Sequence, residues 1–147
     1  MASPRLIFGL PFGAGIILHV MAGGDIEAGD QLFVVVLGSL LIATGLTLAA
    51  WATIALRKRG EHPDPARPTT ALVTEGPYAY SRNPIYVSFT SVALGIGMLL
   101  NSYWVLGSVP IAAVALHFLV VIREERYLTT VIGHQYSGYR ESVRRWL

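Results

Sequence analysis

The sequence predicts an all-α integral membrane protein, a bundle of four transmembrane helices followed by a C-terminal amphipathic helical tail. Three observations carry that expectation. First, four apolar stretches, residues 6–23, 32–56, 84–100 and 103–122, approach or exceed the ~20 residues a spanning helix needs. Second, all 11 Lys and Arg fall on one side of the pattern. Arg5 precedes the first stretch; Arg57, Lys58, Arg59, Arg67 and Arg82 lie between the second and third; Arg123, Arg126, Arg140, Arg144 and Arg145 follow the fourth. Third, the two other connections hold only Asp25, Glu27 and Asp30, or the short Asn101-Ser102. Cytoplasmic loops collect Lys and Arg, so both termini and the loop 57–83 are expected in the cytoplasm, with the spans in a cell inner membrane.

The composition, 53% hydrophobic and 14% charged, places residues 1–147 in one membrane domain. With no cysteine, thiolate nucleophiles, disulfides and zinc–thiolate sites are excluded. The formal charge of +2, gathered at one face without an aromatic–basic motif, speaks for anionic headgroups rather than nucleic acid.

The first stretch carries Gly9 and Gly13 around Pro11. Small residues at this spacing let helix backbones approach closely in lipid, and Gly38 and Gly45 repeat the device on one face of the second. Val20-Met21-Ala22 loosely resembles a cleavage site, but with a single Arg ahead of it the stretch reads as a retained helix. Between the second and third stretches, Pro63, Pro65, Pro68 and Pro77 predict an extended, irregular loop. A loop of that length is usually functional. Asn83-Pro84 predicts the start of the third helix, since Asn is a favoured N-cap and Pro suits the first helical position. That end is either simply a capped terminus or an anion site built from free N–H groups.

The fourth stretch closes on Arg123-Glu124-Glu125-Arg126. Paired acids at a membrane boundary are functional candidates, and a solvated ion cluster is the alternative. Successive helix positions diverge by about 100°, so one of the two glutamates is expected to face any given pocket. Residues 123–147 form the tail, in which Leu128, Ile132, Tyr136 and Tyr139 recur at helical spacing, broken around Gly133. An amphipathic helix at the headgroup level, anchored by Tyr and Trp146, is expected. His19, His62, His117 and His134 show no ligand spacing, so no metal is expected.

The run Leu72-Val73-Thr74-Glu75-Gly76-Pro77-Tyr78-Ala79-Tyr80-Ser81-Arg82-Asn83-Pro84-Ile85-Tyr86 resembles the signature of the isoprenylcysteine carboxyl methyltransferase and phospholipid methyltransferase superfamily. The resemblance continues through Glu124-Glu125, Gly133-His134-Gln135-Tyr136, Tyr139, Val143 and Arg144. It covers residues 70 to 145, about half the chain. It implies S-adenosylmethionine as cofactor, bound at the cytoplasmic loop, and methyl transfer to a lipidic or amphiphilic acceptor through a carboxylate or headgroup amine. Carried over, Leu72, Val73 and Tyr78 line the adenosine; Asn83, Pro84 and Tyr86 hold the cofactor at the start of span three. Glu124 binds it with Glu125 in support, and Gly95 and Gly97 resemble the Gly-x-Gly element of the phospholipid branch. Two positions depart from the pattern. Asn83 stands where the carboxyl-methylating branch has His, and an amide does not titrate as a base. Val120 stands where the eukaryotic carboxyl branch has its substrate arginine, which leaves Arg123 as the substrate-facing candidate. The competing classes are a small four-span transporter or scaffold and a membrane ene-reductase relative. A transporter is expected to carry an acid in mid-span, and all four stretches lack Asp, Glu, Lys and Arg.

Reporter fusions at residues 28 and 65 are expected to fall in opposite compartments, residue 65 on the cytoplasmic side. Matching signals from the two positions refute the four-span arrangement.

Overall fold

The computed structural model describes residues 3–26, 30–62 and 71–147. Among these the regular structure is helical, and the β pairing is limited to an isolated bridge between Asp25 and Ser102. The helices are α1 (Pro4–Ala22), α2 (Gln31–Lys58), α3 (Pro84–Leu99), α4 (Tyr103–Leu116), α5 (Ile122–Ile132) and α6 (His134–Ser142), with a 3-10 turn at Gly76–Ala79. Three prolines of the expected irregular loop, Pro63, Pro65 and Pro68, lie outside the described residues.

Local chemistry sets most of the boundaries. Pro4 opens α1 and Pro84 opens α3, each in the first turn where a missing N–H costs nothing. The Asp30 carboxylate caps α2 by accepting the N–H groups of Leu32 and Phe33 at 3.0 and 3.2 Å. The buried Ser102 hydroxyl caps α4 through Val105 at 3.2 Å. The expected fourth span does not end at Ile122. A π-helical segment, His117–Val121, joins α4 to α5 in one rod from Tyr103 to Ile132. A π segment keeps the backbone helical while shifting its register, so the acids at 124 and 125 ride on a continuous helix.

Three helical segments are long and apolar enough to cross a membrane: Pro4–Ala22, Gln31–Lys58 and Tyr103–Ile132. The third of the four expected spans, α3, has 16 residues and extends about 24 Å at 1.5 Å per residue, short of a ~30 Å hydrocarbon core. Leu10, Ile17, Leu40, Ile54, Ile111 and Phe118 are all exposed on the outer faces. Such apolar exteriors belong in lipid; the chain is an integral membrane protein.

The helices pack in the order α1–α4–α3–α2 rather than in chain order. At the α2–α3 crossing, a Cβ on Gly95 would lie 2.5 Å from the Gly38 carbonyl oxygen, and one on Gly45 3.0 Å from that of Ser88. Gly38 and Gly45 therefore act as the sequence suggests. Gly9 and Gly13 do not: a Cβ on either meets nothing within 4 Å, and it is Gly15 that packs against the Trp104 carbonyl of α4. The contact falls where the α1–α4 crossing places it, two residues beyond the expected pair. A core of Phe8, Tyr86, Val109, Ala112, Leu116 and Val120 fills the junction of α1, α3 and α4.

The tail is helical and breaks at Gly133, as the sequence predicts, and its aromatic rings turn inward. Tyr136 and Tyr139 on α6 are 2% and 8% exposed, and Trp146 packs against the core and the His117 ring. The Tyr136 and Tyr139 rings are enclosed by protein, with Trp146 half-buried against the core. A buried aromatic removes more apolar surface from water than an interfacial one.

Gly95→Ala is expected to lower the midpoint of detergent-titrated unfolding, by ~1–3 kcal/mol for an overpacked contact. Gly13→Ala should match or exceed the parent, because an open helical glycine replaced by alanine gains up to ~1 kcal/mol. Equal responses from the two variants contradict the packing described.

Candidate functional site

The candidate site forms where the loop before α3, the first turn of α3, α5 and the chain's end converge. The C-terminal segment folds back over the start of α3. The Arg82 N–H donates to the Arg144 carbonyl at 3.0 Å, and the Asn83 side-chain amide donates to the Arg145 carbonyl at 2.9 Å. Asn83 is thus the boundary residue of α3 but not its side-chain cap, because its amide is committed to the tail. The Asn83 carbonyl takes the N–H groups of Tyr86 and Val87, which leaves the helix end less open to an anion than the sequence suggests.

Glu124 and Glu125 face different partners. The Glu125 carboxylate is buried and receives Arg145 through Nε and Nη2 at 3.0 and 2.8 Å. Arg82 adds an ion pair through Nη1 at 2.9 Å. The Glu124 carboxylate accepts the Tyr86 hydroxyl at 2.9 Å. Adjacent helix positions point about 100° apart, which is how one pair of acids serves both an ion cluster and a separate tyrosine.

A 3-10 turn presents Tyr78, and the Tyr139 hydroxyl donates to the Tyr78 carbonyl at 2.6 Å. Gly76 turns this segment at φ 62° and sits against Trp51 of α2, while Arg59 and Glu75 form an exposed ion pair. Burial, then the Glu124 charge, pushes the Tyr78 phenol well above its ordinary range. Burial, then Tyr136, does the same to Tyr139. Both phenols stay protonated at neutral pH.

These residues enclose a cavity of about 110 Å³. Of the residues singled out in the sequence, Leu72, Val73, Tyr78, Asn83, Pro84, Tyr86, Glu124 and Glu125 all line it. Gly95 and Gly97 do not; they face Gly38 and Leu106 at the crossings with α2 and α4. Arg123 is exposed and does not line the cavity. The cavity also takes in Arg82, Leu128, Tyr136 and Tyr139, with Glu61 and His62 beyond the end of α2, to which the sequence assigned no site role. Arg82 stood inside the quoted motif, and the Tyr136–Tyr139 spacing marked one helix face without saying what it faces. The C-terminal Arg145 had no local signal at all.

The polar groups at the cavity are the Glu124 carboxylate held by Tyr86, Glu125 in its ion cluster, the buried Glu61, which accepts the Ala71 N–H at 2.6 Å, His62, and the phenols of Tyr78, Tyr136 and Tyr139, set among apolar walls. Arg82 adds a buried Nε with no hydrogen-bond partner among the described residues. No group of three His, Cys, Asp or Glu that could hold a metal occurs among the described residues. Such a set can bind a molecule with a planar apolar part, hydroxyl or ammonium donors, and an anionic end.

A sequence model of the phospholipid methyltransferase family matches residues 33–135, and the chain belongs to that family. The chain is also similar to a protein-S-isoprenylcysteine O-methyltransferase of Schizosaccharomyces pombe, at 39% identity over 74 residues. That match covers 49% of this chain and 30% of the relative. No solved structure matches the chain.

Glu125→Gln is expected to destabilise the fold by ~3–5 kcal/mol, because Arg82 and Arg145 lose the counter-charge of a buried cluster. Arg145→Gln should cost less than Arg82→Gln, since the Arg145 side chain is 34% exposed and that of Arg82 9%. Thermal unfolding in detergent checks both, and a Glu125→Gln protein as stable as the parent contradicts the cluster's role.

Proposed function

We propose that this member of the phospholipid methyltransferase family uses S-adenosylmethionine to methylate a lipidic or amphiphilic acceptor at the cytoplasmic face of the inner membrane. The observation that carries the reading is Glu124, oriented by the Tyr86 hydroxyl inside a cavity that gathers eight residues of the family-like motifs.

The chemistry of the donor set suits this cofactor. The Glu124 carboxylate accepts from ribose hydroxyls or an ammonium, and charge-assisted bonds of this kind are the stronger ones. Arg82 Nε supplies a donor for a carboxylate. Leu72, Val73 and the Tyr78 ring supply an apolar wall for a planar base. The enclosed volume of about 110 Å³ is below the ~300–1,000 Å³ of a typical small-molecule site. Part of a nucleoside therefore lies in this space and part beyond it. A dinucleotide fits it far less well, which disfavours the ene-reductase alternative.

When bound, the cofactor supplies an electrophilic methyl group on a positively charged sulfur. The chain's own residues then have to align the acceptor and keep water out, and alignment alone lowers a barrier substantially. Tyr86 fixes the direction of the Glu124 carboxylate. Tyr139 secures the Tyr78 turn through its backbone carbonyl. Asn83 holds the tail over the site and moves no proton, since an amide does not titrate near neutrality.

Isothermal titration of the purified protein with S-adenosylhomocysteine is expected to show binding, and titration with NADPH to show none. Glu124→Ala should weaken S-adenosylhomocysteine by roughly ten- to a hundredfold, the loss of one charge-assisted hydrogen bond, with its unfolding midpoint nearly unchanged. Unaltered affinity in Glu124→Ala removes the residue from the binding site, and heat with NADPH alone favours the reductase reading.

A further inference from the structure

The consecutive helices α1 and α2 do not pack along one another; α1 lies on α4 and α2 on α3. The gap between them is a cleft of about 390 Å³, with α3 as its floor. Phe8, Gly9 and Phe12 form one wall, Leu46 the other, and Phe89 and Val92 the base. The Ser88 hydroxyl, also at the cleft, is already spent on the Ile85 carbonyl at 2.6 Å. A volume of this size falls within the range of small-molecule sites.

The charge at the cleft is one-sided. Arg5 lines it, is exposed, and forms no ion pair or hydrogen bond among the described residues. Arg5 stands one turn from Phe8, and Phe8 shares the core with Tyr86 and Val120, so this end of the cleft is the end nearest the candidate site. The rings of Phe8 and Phe89 are 6.0 Å apart and those of Phe89 and Tyr86 6.3 Å apart. A continuous aromatic wall thus runs from the cleft to the tyrosine that holds Glu124. Gly9 leaves the wall open, since a Cβ there meets nothing within 4 Å.

We propose that this cleft binds the hydrocarbon chain of an anionic bilayer lipid, with its acidic headgroup held at Arg5. The apolar walls match a chain drawn sideways from the bilayer, and the exposed Arg5 guanidinium matches a phosphate or carboxylate, its preferred partners. The occupant is also the acceptor lipid, a step that rests on the methyl-transfer reading above; occupancy of the cleft does not.

The test is photo-crosslinking in nanodiscs that contain phosphatidylglycerol or phosphatidylcholine carrying a diazirine in the acyl chain, followed by peptide mapping. Adducts are expected to concentrate on Phe12 and Phe89 over the exposed Ile111 and Phe118. Phosphatidylglycerol should label the cleft roughly fivefold more than phosphatidylcholine, the contribution of one basic residue near an anionic surface. Arg5→Gln should abolish that preference. Gly9→Leu should remove the cleft adducts for both lipids while leaving those at Ile111 and Phe118, which shows that the protein remains folded. Adducts spread evenly over the outer faces overturn the proposal. So do equal cleft labelling by the two lipids in the parent, or crosslinks that join two copies of α1. Binding of S-adenosylhomocysteine is measured on the same variants. If it is absent while cleft labelling holds, the methyl-transfer reading fails and the lipid site stands.

Discussion

One buried carboxylate, Glu125, holds together the architecture around the polar cavity. Its oxygens meet Arg82 from the segment before α3 and Arg145 from the C-terminal segment, which lie 43 and 20 residues away in sequence. A charge in such a place is costly unless it is paired, and here Arg145 hydrogen-bonds both carboxylate oxygens while Arg82 adds an ion pair. The hydrogen bond from Arg145 to Glu125 raises the Arg145 guanidinium further above its ordinary range. With the tail secured in this way, backbone bonds from Arg82 and Asn83 to residues 144 and 145 close the site.

The position of Glu124 follows from that constraint. Because α5 is helical through both acids, anchoring Glu125 in the ion cluster turns Glu124 toward Tyr86. The continuous rod from Tyr103 to Ile132 carries the acids beyond the apolar segment without a flexible joint. Groups on rigid elements hold their geometry better than groups on loops. The structural acid and the candidate ligand acid are neighbours in sequence with divided labour.

Packing inside the membrane produces the second compartment. Glycines bring α2 and α3 into backbone contact, and α1 is taken up by α4. In lipid, helices associate through such close fits and not through hydrophobicity, so two helices joined in sequence have no reason to adhere without small residues facing each other. The glycines that α1 does carry at positions 9 and 13 face open space. The result is an apolar cleft whose wall leads, through Phe89, to the polar cavity at Tyr86.

Hydropathy, charge asymmetry and boundary residues are local properties, and they were sufficient for the all-helical class, the start of α3 at Pro84 and the apolar segments. The motif residues from Leu72 to Tyr86, with Glu124, were legible as a group because their order along the chain resembles a family. Contacts between distant residues were not legible. Asn83 looks like a cap from its neighbours, yet its amide serves Arg145, 62 residues away. Gly13 fits a packing spacing, but Gly15 makes the contact, because the crossing of α1 over α4 selects which face is buried. Tyr136 and Tyr139 have the amphipathic character of interfacial anchors, and only the fold of the tail over α3 decides that their rings are enclosed. A short-range pattern specifies what a residue is able to do; which partner it meets depends on the arrangement of helices, and that arrangement minimises unpaired polar groups and empty space over the whole chain at once.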